Sequence, residues 1–278
     1  MATLIQFLQY TLASKGSLLA NETKRIMLKE ALQAYVLDFL YNHPLYRRLN
    51  FYGGTCLHVI YNLNRISEDL DLDNSIRINL SHLADELVGY FHKTLGYLEV
   101  TSKIQEDEAG ILRITLKFPL LSALGLSDRQ DEMLHMKVEV SQHKQVSVIK
   151  QTPILYFGRS FVPSHFSLET MMAGKMLACL ERNLQKGNTG TMIKGRDFYD
   201  LLWFMQREVR PLEEKLAEDG SQPYTIQSAM TVLKEKVKAI KPGDLAIDLY
   251  PMFEQRTFIV AWVNSFQSNF MEYIQQYI

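Results

Sequence analysis

Residues 69–73 read DLDLD. Strict alternation over such a run gives a β-strand with Asp69, Asp71 and Asp73 on one face and Leu70 and Leu72 on the other. The leucine face needs a core, so the chain must build a sheet that is covered on that side. The other face carries a row of like charges, and carboxylates placed this way repel one another. Two arrangements relieve the repulsion. One is an edge strand whose charged face stays in water. The other is a divalent cation, because Mg²⁺ takes hard oxygen ligands, commonly carboxylates together with substrate phosphates.

The rest of the chain falls into two patterns. Before residue 160, helical and alternating segments mix. Residues 21–42 show helical spacing through Ile26, Leu28, Ala31, Leu32, Tyr35, Val36, Phe39 and Leu40, with Asn21 or Thr23 as the expected cap. LNFYGGT reads as a short strand ending in glycines, and CLHVIYNL as the helix that follows. LSHLADELVGYFHKTL is an expected helix capped by Ser81. ILRITLKF and MLHMKVEVS alternate with period two, as half-buried strands do. Pro153, Gly158 and Pro163 then punctuate the chain, and later segments have helical spacing: residues 167–182 behind a Ser167 cap, 196–209, 225–240 and 250–274. NLQKGNTGTMIKG is polar and glycine-rich, an expected loop. The expected division is a mixed first domain over 1–160, with an amphipathic N-terminal helix, and an all-helical domain over 161–278.

Composition narrows the function classes. The 278 residues carry a formal net charge of -1 and are 47% hydrophobic. The balance argues against a coat of basic charge, although a local basic groove is compatible with it. The two cysteines, Cys56 and Cys179, stand alone, so neither a CxxC motif nor a disulfide framework is available. No apolar run approaches the roughly 18–20 residues of a membrane span, and the N-terminus lacks the basic start of a signal peptide. The expected location is cytoplasmic.

Several groups carry chemistry. In FYGGTCLHVI, a strand delivers Gly53 and Gly54 to a helix start, where backbone N–H groups suit a phosphate and Thr55 adds a hydroxyl. A glycine pair is also what an ordinary tight turn uses. Glu139, with Lys137 beside it, lies opposite the apolar face of its strand. It is either part of a solvent face or a third carboxylate beside the DLD strand. Lys175 and Arg182 are seven apart and share a helix face, a spacing that suits a triphosphate. Asp197 and Asp200 share a face of the next helical segment; Arg196 and Asp200 also fit a plain i,i+4 pair.

Taken in order, GGT, SxDxD, KVE, LExxxAxK and KGRDFYDL resemble the nucleotidyltransferase toxins of the AbiEii/AbiGii family, within the DNA polymerase β-like nucleotidyltransferase superfamily. The resemblance spans roughly residues 50–205. It implies an α+β fold: a small mixed β-sheet nucleotidyltransferase core flanked by helices, followed by an all-helical C-terminal domain. It implies transfer of a nucleotide from an NTP to an acceptor, tRNA or another RNA or else a protein, with release of pyrophosphate, using Mg²⁺ or Mn²⁺. In characterised relatives the acceptor can be the 3′ end of tRNA, growth is arrested, and the gene commonly sits beside a winged-helix antitoxin. The chain is therefore expected to be the toxin of a toxin–antitoxin or phage-defence system.

Carried over by position, Gly53, Gly54 and Thr55 form the phosphate-holding turn, with Ser67 in the SxDxD motif. Asp69 and Asp71 are the metal ligands, and Glu139 is the candidate third carboxylate beside Lys137. Lys175, with Arg182, binds the triphosphate. Arg196, Asp197 and Asp200 belong to the RDxxD motif, Asp197 being the more central acid. Asp73 is an additional acid, expected to face solvent or to back up the ligands. Thr55 replaces the frequent serine and keeps the hydroxyl.

Two rival functions share this core: a small-molecule, antibiotic-type nucleotidyltransferase, and a non-catalytic nucleotide-binding protein that kept the fold. An RNA acceptor calls for a basic groove, and Lys186, Lys194, Arg196, Arg207 and Arg210 either line it or form a solvated face. Phe258, Trp262, Phe266 and Phe270 recur every four residues, a stripe expected to be core or an oligomer seam rather than a base-stacking platform.

Overall fold

The helical spacing of residues 21–42 becomes the longest helix of the computed structural model, which describes residues 3–14, 19–107, 110–142, 144–182 and 193–278. The chain divides into two compact units: residues 1–144 with 150–165, and residues 145–149 with 166–278. The expected loop over 183–192, with Lys186, lies outside the described residues.

The first unit opens with α1 (Leu4–Ser14) and α2 (Asn21–Asn42). Leu28, Leu32, Val36 and Leu40 are fully buried, so the apolar stripe of α2 is core. The helix starts at Asn21 itself: Ala20 is the cap residue and no side chain caps it, against the expectation for Asn21 or Thr23. β1 (Asn50–Tyr52) runs directly into α3 (Gly53–Tyr61), so the two glycines belong to the helix start rather than to the strand end. β2 (Leu70–Asp73) is the acidic strand, with Leu70 and Leu72 fully buried. α4 (Leu83–Lys93) begins after His82 with no side-chain cap. Ser81, the expected cap, instead donates its backbone N–H to Asn79 Oδ1 at 2.9 Å, a turn that ends before the helix begins.

β3 (Thr101–Glu106), β4 (Ile111–Phe118) and β5 (Leu134–Ser141) form an antiparallel meander. Met136, Val138 and Val140 are fully buried while His135 and Lys137 are exposed, as the alternation requires. Short strands follow: β6 (Ile149–Gln151), β7 (Ile154–Tyr156), β8 (Arg159–Phe161) and β9 (Ser164–Phe166). Among the described residues the main sheet has seven strands in the order β3-β4-β5-β2-β1-β9-β6. β2 lies parallel to β5 and antiparallel to β1, and β9 is parallel to β1, so the sheet is mixed. β7 and β8 make a separate hairpin, whose turn residues Phe157 and Gly158 have φ of 47° and 71°. Two left-handed residues in a row are what a two-residue hairpin turn demands.

The second unit is helical: α5 (Leu168–Glu181), α6 (Gly195–Met205), α7 (Glu213–Glu218), α8 (Ile226–Lys238), α9 (Pro242–Leu249) and α10 (Arg256–Tyr273). Ser167 caps α5 as expected, its hydroxyl accepting from the Thr170 N–H at 3.3 Å. Gly195 starts α6 where a Cβ would collide with the backbone of Leu245 in α9, so only glycine permits that approach. In the aromatic stripe, Phe266 and Phe270 are fully buried and Trp262 packs against Tyr199 and Phe266, so that part is core, while Phe258 at its start is exposed. Among the described residues no helix is long and apolar enough to cross a membrane. The mixed α/β fold with a helical C-terminal region is the expected one.

Candidate functional site

β1, β2 and β5 bring the acidic positions of the first unit to neighbouring strands. Tyr52 stands opposite Asp71 in the β1–β2 ladder, and Asp71 is aligned with Glu139 across β2–β5. Registered neighbours share a sheet face, so Asp71 and Glu139 lie on the same side. Asp69 immediately precedes β2 on that side.

The glycine turn fits this face closely. Gly53 has φ +79°, and a Cβ there would overlap the Asp71 carboxylate. A Cβ on Gly54 would sit 2.8 Å from Ser67 Oγ and 2.7 Å from Arg65 Nη2. The two glycines thus let the start of α3 close onto Asp71 and Ser67. The first-turn N–H groups of a helix have no partner within it, which makes this end receptive to an anion. Thr55, expected in the phosphate-holding turn, has its hydroxyl engaged within the protein. It is buried, and its hydroxyl donates to the Asp69 backbone carbonyl at 2.5 Å, tying α3 to the segment that carries Asp69.

The remaining acids separate by environment. Burial raises the Asp69 carboxyl above its ordinary value; Lys137 opposes the rise, and Glu68 and Glu139 add to it. Glu68 turns to α2, where Lys29 Nζ meets its carboxylate at 2.6 Å. Glu139 receives Arg113 Nε at 2.6 Å from β4, directly opposite it in the ladder. Asp73 does not face solvent. It is fully buried and accepts from Asn50 Nδ2 at 3.0 Å and Ser75 Oγ at 2.8 Å, because the strand has by then passed under the Asn74–Ile78 turn. Tyr52 completes the group: burial pushes its hydroxyl far up, and Asp71, Asp73 and Glu139 push it further.

Hard carboxylate oxygens from Asp69 and Asp71, beside a turn with no side chain in the way, suit a divalent cation such as Mg²⁺. Among the described residues, however, no three Asp, Glu, His or Cys side chains form a ready metal cluster. Glu139 stays aligned with Asp71 in the β2–β5 register, and its carboxylate is engaged by the Arg113 guanidinium.

The second unit builds its own charged group. Lys175 Nζ lies 2.7 Å from Asp197 Oδ1 and 2.8 Å from Asp200 Oδ2, and Arg182 Nη1 lies 2.8 Å from Asp197 Oδ2. Asp200 is fully buried and Asp197 nearly so. Burial alone would raise the Asp197 carboxyl, yet Lys175 and Arg182 hold it well below the usual carboxylate range. Arg182 is the C-cap residue just past α5 rather than a residue of its face, yet both cations converge on Asp197. Arg196 does not form the i,i+4 pair with Asp200. Its backbone N–H and side chain turn to Asp248.

The expected basic run is dispersed by its partners. Arg207 lies over the Trp203 ring at 4.0 Å, and Arg196 is with Asp248. Burial and the neighbouring Arg182 and Arg196 lower the Lys194 ammonium. Arg210 is exposed.

Sequence reasoning missed Arg65, Arg113 and Tyr52. Arg65 lies two residues before Ser67, in a stretch without periodicity. Arg113 needed the β4–β5 register, although its place on the polar face of ILRITLKF was the available clue.

Comparison with known proteins gives the family and the fold. A family profile described as "Nucleotidyl transferase AbiEii toxin, Type IV TA system" matches residues 36–275. Among curated proteins none matches the chain. Two solved structures share the fold. JHP933 from Helicobacter pylori is 18% identical with TM-score 0.53, over 90% of this chain and 92% of that one. An H. pylori protein described as a candidate nucleotidyltransferase is 19% identical with TM-score 0.51, over 89% and 94%. With the profile covering most of its length, the chain belongs to the AbiEii nucleotidyltransferase toxin family of type IV toxin–antitoxin systems.

Proposed function

We propose that this nucleotidyltransferase toxin is Mg²⁺-dependent and transfers an NMP from an NTP to an RNA, with the 3′ end of tRNA as the acceptor. The observation that carries the catalytic part is the closure of the Gly53–Gly54 turn onto Asp71 and Ser67. The backbone N–H groups of that turn bind the phosphates. Asp69 and Asp71 would hold the divalent cation, which supplies charge neutralisation on the phosphates and activation of the acceptor oxygen.

The chain's own residues do the positioning. Thr55 fixes the Asp69 backbone. Lys29 draws Glu68 away from the acidic face, and Arg113 offsets the charge of Glu139 beside Asp71. Lys175 keeps its family assignment as the cation that offsets triphosphate charge, with Asp197 and Asp200 setting where its ammonium lies. The acceptor oxygen forms a bond to the α-phosphorus as the bond to the pyrophosphate oxygen breaks, a displacement that depends on placement and electrostatics. An antitoxin encoded nearby is the expected partner.

The test is incubation with each α-labelled NTP, Mg²⁺ and total cellular RNA. The proposal predicts label in the tRNA fraction, lost on chelation and restored by Mg²⁺. Label confined to a small-molecule fraction would replace RNA with a small acceptor. Nucleotide binding without transfer to any acceptor would leave only a binding protein.

A further inference from the structure

Arg65 is an unexpected residue to find buried. It is 2% exposed and ranks among the largest fully buried side chains of the chain. A guanidinium stays charged at any ordinary pH, and burying it is costly unless it is paired and hydrogen-bonded, so its surroundings are fixed. Its position is specific. A Cβ on Gly54 would stand 2.7 Å from Arg65 Nη2 and 3.3 Å from Nη1. The same atom would stand 2.8 Å from Ser67 Oγ, so Gly54 is clasped between a cation and a hydroxyl. Arg65 Nη1 also donates to the Ile66 carbonyl at 3.2 Å, which fixes the strand entry leading to Ser67.

We propose that Arg65 is a positioning residue for the triphosphate of the nucleotide, acting through the Gly54 peptide and Ser67. The inference rests on the reading of the glycine turn as the phosphate-binding element. Arg65 is too buried to touch the nucleotide. Its charge lies directly behind the first turn of α3 and adds to the positive end of that helix, where partial burial strengthens the field. Its fork packs against Gly54 in the space a Cβ would need, which limits how that first turn can shift and keeps its N–H groups placed for the phosphates. A leucine of similar bulk would fill the space and supply neither effect.

The experiment compares Arg65→Lys, Arg65→Met and Gly54→Ala with wild type. Each protein is followed by thermal melting, by kcat and KM for the NTP that wild type incorporates, and by calorimetric binding of the α,β-methylene analogue of that NTP. Arg65→Lys keeps the charge and loses the fork, so KM should rise about tenfold with kcat within about threefold. Arg65→Met should raise KM further, and analogue affinity should fall in parallel. Gly54→Ala pushes on the guanidinium, and its effect combined with Arg65→Lys should be less than additive.

If Arg65→Met does not fold, Arg65→Lys and Gly54→Ala carry the test. A lower melting temperature with unchanged KM and analogue affinity would make Arg65 purely structural and overturn the inference. Wild type that neither binds the analogue nor transfers label would overturn the underlying reading of the turn, and the inference with it.

Discussion

Gly53 has a left-handed backbone, and the Asp71 carboxylate occupies the space a Cβ would need. Gly53→Ala therefore combines backbone strain with displacement of a proposed metal ligand. Transfer should fall at least ~100-fold, since small misplacements of reacting groups are costly. Initial rates beside a melting curve measure both effects, and near-normal transfer would refute the close fit. Asp73 is a different acid in the same run. Removing it by Asp73→Ala leaves the buried Asn50 amide and the half-buried Ser75 hydroxyl without this acceptor. Urea unfolding should show a loss of about 2–4 kcal/mol, while the folded fraction keeps its catalytic rate. The contrast between Asp71 and Asp73 could not be read from DLDLD. Alternation puts both on one face, but which is covered depends on Asn50 and Ser75 folding over one end. The placing of Asp69 and Asp71 on one face, and of the glycines at a helix start, was readable because both follow from local spacing. Arg65 and the Arg113–Glu139 pair depend on strand pairing and close approach, which no local pattern encodes.

The helix α3 is fastened at both ends. Its first turn closes onto Asp71, and near its last turn His58 Nδ1 lies 2.6 Å from the Leu63 carbonyl. The other ring nitrogen lies 2.7 Å from Glu30 Oε1 on α2, which also accepts from Tyr156 of β7 at 2.6 Å. Burial would lower the His58 imidazole and Arg65 opposes its charge, but Glu30 and the Leu63 carbonyl raise it above 6.5 overall. A folded-state value above the unfolded one stabilises the protein fully below pH 6.5 and ceases to do so as pH rises through the folded value. His58→Gln should cost about 1–3 kcal/mol at pH 6, with the gap to wild type narrowing at higher pH. Chemical denaturation across pH 5.5–9 (roughly the range in which histidine titrates) reads this out, and a gap independent of pH would contradict it. Elements with many periods, such as α2, β4 and β5, were predictable because periodicity accumulates over length. The three-residue strands β6 to β9 carry too few residues to show one. The missed caps at Asn21 and Ser81 reflect backbone geometry that side-chain type alone does not set.

The family match covers residues 36–275, so it includes the helical unit as well as the sheet that holds the acidic strand. The family profile thus extends beyond the motif-bearing stretch of roughly 50–205 that was visible in the sequence. The helical remainder is held by packing, as in the Tyr199, Trp262, Phe266 and Phe270 cluster, and apolar packing leaves no motif to recognise. The proposed chemistry rests on the pair Asp69 and Asp71 beside the glycine turn. The most direct measurement is transfer from α-labelled NTP by Asp71→Asn, a change that keeps size and removes charge. The account predicts a folded protein with wild-type melting behaviour and transfer reduced at least ~1,000-fold. Transfer within a few-fold of wild type would contradict it.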